Sequence, residues 1–166
     1  MTDFTLDIPE LMLRVVALEK EAMATVLPAE KTCNAVPYFI YSQDSYPYFT
    51  NRDGAGVSVN DDTEEFDHDT YTVIMRLIIG HVTEGYVGEL ETTLHTYIPT
   101  VKTYINSRGG LQSTAYPEAL VGIRYARIIN WTGLRVWQTA GISVLQMGTE
   151  FTLHCELDEQ IIQAYN

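Results

Sequence analysis

The residues best suited to chemistry in this chain are the acidic run Asp61-Asp-Thr-Glu-Glu-Phe-Asp-His-Asp, the cysteines Cys33 and Cys155, and the histidines His68, His81, His95 and His154. Carboxylate oxygens packed this densely suit a hard cation. The run lacks the alternating Asx spacing with a glycine and a distal glutamate that wraps one, so no metal site is expected there. A thiol and an imidazole make a nucleophilic pair only where something activates the thiol, and neither cysteine has such a context. His154 and Cys155 are adjacent, so in a strand they point to opposite faces and cannot ligate one metal together. Gly54, Gly56, Gly109 and Gly110 lie at no strand-to-helix turn of phosphate-loop or dinucleotide spacing. No catalytic residue, cofactor or metal is therefore expected.

The elements that would position these residues are legible from periodicity. Tyr71, Val73, Met75, Leu77 and Ile79 alternate along a strand over about 69–80, with Arg76 on its second face. Val87, Leu90, Leu94, Tyr97, Ile98, Val101, Tyr104 and Ile105 recur at steps of three and four, which predicts a helix over about 86–106. Pro99 inside it removes a backbone bond and predicts a kink near Thr96 to Tyr97, or a split helix. Leu145, Met147, Phe151, Leu153, Cys155 and Leu157 predict a closing strand over about 142–157, where Gly148 marks a bulge or a close backbone approach.

Upstream, Ile8, Leu11, Val15, Leu18, Ala22 and Val26 predict a helix over about 8–26, with Glu10, Arg14, Lys20 and Glu21 largely on its other side. Asp7 is its expected N-cap, Pro9 falls in its first turn, and Pro28 stops it. The apolar run at about 35–41 reads as a strand, and about 42–68 as a long acidic loop, with a short hairpin near Val57 to Val59 as an option within it. Gly109 and Gly110 cap the second helix, and strand follows over about 119–138, interrupted by a turn after Trp131. The expected fold is one α+β domain: a mixed or antiparallel sheet with both helices on one face, and the other face half solvated.

A net charge of −12 opposes a sequence-reading nucleic-acid binder, which needs clustered Lys and Arg to replace counterions. Asp3 and Asp7 stand where an export signal carries basic residues, and charges interrupt the apolar runs, so neither export nor membrane insertion is expected. Two cysteines are too few for a disulfide framework.

The charge is unevenly placed. Asp44 to Asp69 holds eight carboxylates against Arg52, whereas Val101 to Ala140 holds five cations against Glu118. Both stretches read equally as solvated surface or as complementary patches of a head-to-tail interface between subunits. The candidate interface residues are Asp61, Asp62, Glu64 and Glu65 on one side and Arg124, Arg127 and Arg135 on the other. Tyr46, Tyr48 and Phe49 are the candidate partner-contact residues of the loop, since aromatics supply contact area at low entropy cost. Trp131 and Trp137, interleaved with Tyr125 and the three arginines, also have the composition of a single-strand platform, which the overall acidity opposes.

An acidic loop followed by Asp69-Thr-Tyr-Thr-Val-Ile-Met-Arg-Leu-Ile-Ile, then Glu89-Leu-Glu through Tyr97-Ile-Pro, then Gly141 to Leu157, resembles the tail terminator (tail completion) proteins of long-tailed bacteriophages, the lambda-type family. The likeness is one of pattern over roughly the last hundred residues, with the first helix agreeing in position. It implies a virion structural protein assembled in the host cytoplasm: a homo-oligomeric ring, a hexamer, that caps the tail tube and stops its polymerisation. The implied partners are other copies of the chain, the tail tube protein and the head connector, with DNA passing an acidic lumen without specific binding. This chain departs from the pattern in its longer loop between the first two strands and in the stretch from Leu111 to Trp131. Two other readings stand beside it: a head-to-tail joining protein beneath the portal, and a small ligand-binding or hydrolytic α/β domain.

Overall fold

The structure is a computed structural model that describes residues 6–40, 45–54, 70–81, 87–138 and 145–158. It contains α1 (Ile8–Ala24), β1 (Asn34–Val36), β2 (Tyr48–Asp53), β3 (Thr70–His81), α2 (Val87–Asn106), β4 (Ile123–Trp131), β5 (Arg135–Gln138) and β6 (Leu145–Leu157). The strands form one mixed sheet in the order β1-β2-β3-β6-β4, with β5 also paired to β6. Among the described strands β1 and β2 run parallel and the other pairings are antiparallel. The expected α+β domain with a mixed sheet is the one observed.

The core lies between the sheet and the two helices. Tyr71, Val73, Met75 and Leu77 alternate inward on β3, and β6 answers in register, with Val73 opposite Leu153 and Met75 opposite Phe151. Phe49 on β2 sits beside Leu77 and brings its ring to 6.4 Å from that of Phe151. Leu11, Val15, Leu18 and Ala22 of α1 and Leu94, Val101 and Ile105 of α2 close over this layer, each almost fully buried. Period-2 strands and 3.6-period helices meet on one apolar plane, as the sequence patterns require.

Asp7 caps α1 as expected, its side chain accepting from the Glu10 amide at 3.0 Å. The outer side of α1 is not uniformly solvated. Arg14 is buried: it reaches the Glu10 carboxylate and the backbone carbonyls of Leu111 and Glu118, with Tyr116 under its guanidinium at 4.9 Å. Helical spacing alone could not show that the 111–118 segment folds back over this side of α1.

α2 continues through Pro99, so the helix is not split there. Proline removes the bond to the His95 carbonyl, but both residues are exposed and water can take the freed acceptor. The helix ends at Asn106, before the glycine pair. The left-handed residue of the following turn is Leu111, at φ 58°, and Gly109 and Gly110 carry no positive φ. Gly110 is needed for space, since a Cβ there would lie 2.7 Å from that of Ala119.

Three strand expectations are corrected. The first strand stops at Val36 instead of running to 41, because Pro37 has no N–H to continue a ladder. The segment expected to be loop over 42–68 contains β2, paired with both β1 and β3. The strand expected from about 119 begins at Ile123, after Gly122 at φ 104° turns the chain into it. β4 and β5 then run in one direction along β6, separated by a break that Thr132 braces against Thr149 and the Glu150 backbone. The hairpin near Val57 to Val59 and the strand residues before Leu145 lie outside the described residues.

Gly148 is the close approach that its place in a strand implied. It faces Ile78, where the β3–β6 register shifts by a bulge, and a Cβ would overlap the Leu77 carbonyl oxygen. The outer edge of β4 is partly closed by the turn after α2. The Ala126 amide donates to the Gly109 carbonyl and the Ile128 amide to Asn106 Oδ1, each at 2.7 Å.

Candidate subunit interface on the open sheet face

Alternation that sends the apolar residues of β3 and β6 toward the helices sends Thr72, Ile74, Arg76, Glu150, Thr152, His154 and Glu156 to the other side. Both helices contribute to the core on the first side, so this second side carries the sheet's polar chemistry. Three clusters occupy it.

The central cluster is built on Arg76. Register places it between Thr50 of β2 and Glu150 of β6, and its Nε donates to Glu150 Oε2 at 3.0 Å. Arg52 approaches the same carboxylate oxygen at 3.6 Å. The Arg76 guanidinium lies over Trp137 at 4.3 Å and Phe39 at 5.2 Å. Its side chain is only 14% exposed and that of Glu150 21%, against 52% for Arg52, so the inner pair is the one least screened by water. An arginine between two aromatic faces with a half-buried carboxylate beside it is held rigidly within the chain and ties β3, β5 and β6 together. Arg76→Met leaves Glu150 with the exposed Arg52 alone and removes both ring contacts. A loss of about 1–2 kcal/mol is expected, read as a lower urea midpoint at unchanged m-value.

The second cluster follows β4. Arg124 pairs with Glu156 at 3.1 Å, and Arg127, opposite His154, lies over the Tyr125 ring at 5.8 Å. The Tyr125 hydroxyl and then Arg124 hold the Glu156 carboxyl below the usual carboxylate range. The third cluster lies toward the other end, where Gln146 donates to the Tyr48 hydroxyl at 2.8 Å and Tyr46 rests against Tyr48 and His81. Burial pushes the Tyr48 phenol up to about 12.

Of the candidate interface residues, Arg124, Arg127 and Arg135 are all exposed. Arg124 and Arg127 share one patch. Arg135 pairs with Gly148 on β6 whereas Arg127 pairs with His154, a separation of about 20 Å along an extended strand. Asp61, Asp62, Glu64 and Glu65 lie outside the described residues. Tyr48 and Phe49 are not contact-loop residues: they are 1% and 0% exposed within β2, because the strand pairs on both sides and Phe49 enters the core. Tyr46, half-buried, is the member of that trio nearest the surface.

The two tryptophans do not share a platform. Trp131 has Lys102 of α2 over its ring at 3.9 Å, on the helix side, while Trp137 stacks on Arg76 on the open side. Sequence reasoning passed over Arg76, Glu150 and Phe39 as site residues. Their one signal was Arg76 itself, a cation between Ile74 and Ile78 on the second face of a buried strand.

Among the described residues no three His, Cys, Asp or Glu side chains are grouped to hold a metal ion. Cys33 and Cys155 are both buried, and burial pushes the Cys155 thiol up to about 12, away from a nucleophilic thiolate. No described helix is long and apolar enough to cross a membrane. Compared with known proteins, the chain matches no protein-family model and no curated protein.

Proposed function

We propose that this chain is a self-assembling virion subunit of the tail terminator type, which forms a ring, caps the tail tube, stops its polymerisation and offers a docking surface to the head connector. The observation that supports this reading is the asymmetry of the sheet. One face is sealed by both helices, while the other carries a row of arginines, carboxylates and aromatics from Arg52 and Arg76 to Arg127 and Arg124. A cationic strand edge on a chain of net charge −12 suits a neighbour that presents its acidic side, which is the head-to-tail geometry that closes a ring. Of the elements on which the resemblance rests, β3, α2 and β6 follow one another in the expected order.

Assembly tests it directly. Sedimentation and mass measurement at low salt and high concentration are expected to give a closed oligomer, and electron microscopy a ring with a central hole. Arg127→Glu reverses a charge on the exposed edge and is expected to weaken assembly at least about tenfold, or ~1.4 kcal/mol, while leaving the monomer folded. A uniform monomer of the parent chain at low salt and high concentration would sink the reading.

A further inference from the structure

A buried acid that no surface reading uses lies between α1 and the β1–β2 edge. Glu19 is 0% exposed, and its Oε1 accepts a hydrogen bond from Asn51 Nδ2 at 2.7 Å. Asn51, also 0% exposed, spends the other hydrogen of that nitrogen on the Val36 backbone carbonyl at 3.0 Å. Two atoms of this pair are left without a partner: Glu19 Oε2 and Asn51 Oδ1. In the ionised form both are acceptors, so neither can satisfy the other. One proton on Oε2 converts it to a donor, and a carboxylic acid facing a carboxamide then exchanges two hydrogen bonds, O–H to carbonyl and N–H to carbonyl. A single proton thus removes both orphaned atoms.

The surroundings favour that proton. Asn51 on β2 bonds the acid, the titratable or charged groups that interact with it are Lys20 on α1 and Cys33 ahead of β1, and Cys33 acts in turn on Tyr97 of α2. Lys20 is exposed, and burial raises the Cys33 thiol and the Tyr97 phenol, so both are neutral near pH 7. Arg14, the buried cation of the same helix, is engaged with Glu10 and the Leu111 and Glu118 carbonyls.

We infer that Glu19 is held as a neutral carboxylic acid whose Oε2–H donates to Asn51 Oδ1, and that this acid–amide pair is a pH-operated latch joining α1 to the β1–β2 edge of the sheet. Burial pushes the Glu19 carboxyl well above the usual carboxylate range, opposed in part by the Asn51 bond and by Lys20. A group whose folded pKa is raised contributes stability that is fully present below its unfolded pKa and is lost as pH rises through the folded one. The latch therefore contributes fully below the usual carboxylate range and loses its contribution as pH rises from there through the raised folded pKa.

The experiment compares thermal unfolding of the parent chain and Glu19→Gln from pH 4 to pH 9. Glutamine supplies the N–H that the neutral acid supplies as O–H, without a titration. Equal midpoints are expected at pH 4, with the parent chain falling behind the variant by about 5 °C at pH 9. Infrared spectra of the parent chain carrying 13C-labelled glutamate provide a readout that needs no variant: a protonated carboxyl band persisting at pH 7 is the expected result. Parallel midpoints at all pH values, or a parent spectrum without that band at pH 7, overturn the inference.

Discussion

Gly148→Ala is expected to abolish the folded protein or to destabilise it by at least about 3 kcal/mol, the upper end of what overpacking costs. The reason is backbone, not side chain. A Cβ at 148 would overlap the Leu77 carbonyl oxygen and lie 2.8 Å from the Leu77 carbonyl carbon and 3.0 Å from Ile78 Cα. Neither neighbour has a rotamer with which to escape, and both belong to β3, the central strand that pairs with β2 and β6. The same glycine faces Arg135 on β5, so a shift of β6 would also misplace the arm of the sheet that carries Trp137. Soluble yield and the urea midpoint check this; an alanine variant as stable as the parent would mean that the bulge at Ile78 to Gly80 relaxes without cost. Such a result would remove the explanation for the glycine.

Phe151→Ala is expected to cost about 3–5 kcal/mol, because the ring is 0% exposed and its loss leaves a cavity where β3, β6 and β2 meet. Met75 is opposite it in register, and Phe49 is the neighbouring ring at 6.4 Å. Total stabilities of single domains are about 5–15 kcal/mol, so this one substitution removes a large share. Guanidinium unfolding measures it. Phe151→Leu, which keeps most of the volume, should recover at least half of the loss. Equal losses in the two variants would point to a specific need for the ring and not to the cavity.

The longest elements are the most legible in the sequence. β3 and β6 were readable because one buried face imposes strict alternation, and a slip of one residue would turn Val73, Met75, Phe151 and Leu153 to solvent. The two helices were readable for the same reason at a period of 3.6. β2 was not. Its residues, Tyr-Phe-Thr-Asn-Arg-Asp, bury Tyr48 and Phe49 on opposite faces, together with Asn51 held by Glu19, and no one-dimensional pattern distinguishes that from a polar loop. Its existence depends on two neighbours distant in sequence, one of them parallel.

At the candidate site the division is similar. Exposure of Arg124 and Arg127 could be read from their charge, but the partner of each could not. Arg76 and Glu150 are 74 residues apart and meet only because β3 and β6 pair in one register. Trp131 and Trp137 looked alike along the chain, and an irregular stretch at Thr132 to Leu134 sends them to opposite sides of the sheet.

What the sequence determined by itself was the class of fold, the helix-covered plane and the uneven charge, since periodicity and composition are properties of neighbouring residues. Tertiary structure alone decided which polar groups the open face gathers, that Tyr48 and Phe49 are interior, and that Glu19 and Asn51 meet in a buried hydrogen bond. Those outcomes follow from pairings across long separations, where the cost of closing the chain is met by burial that no local pattern records.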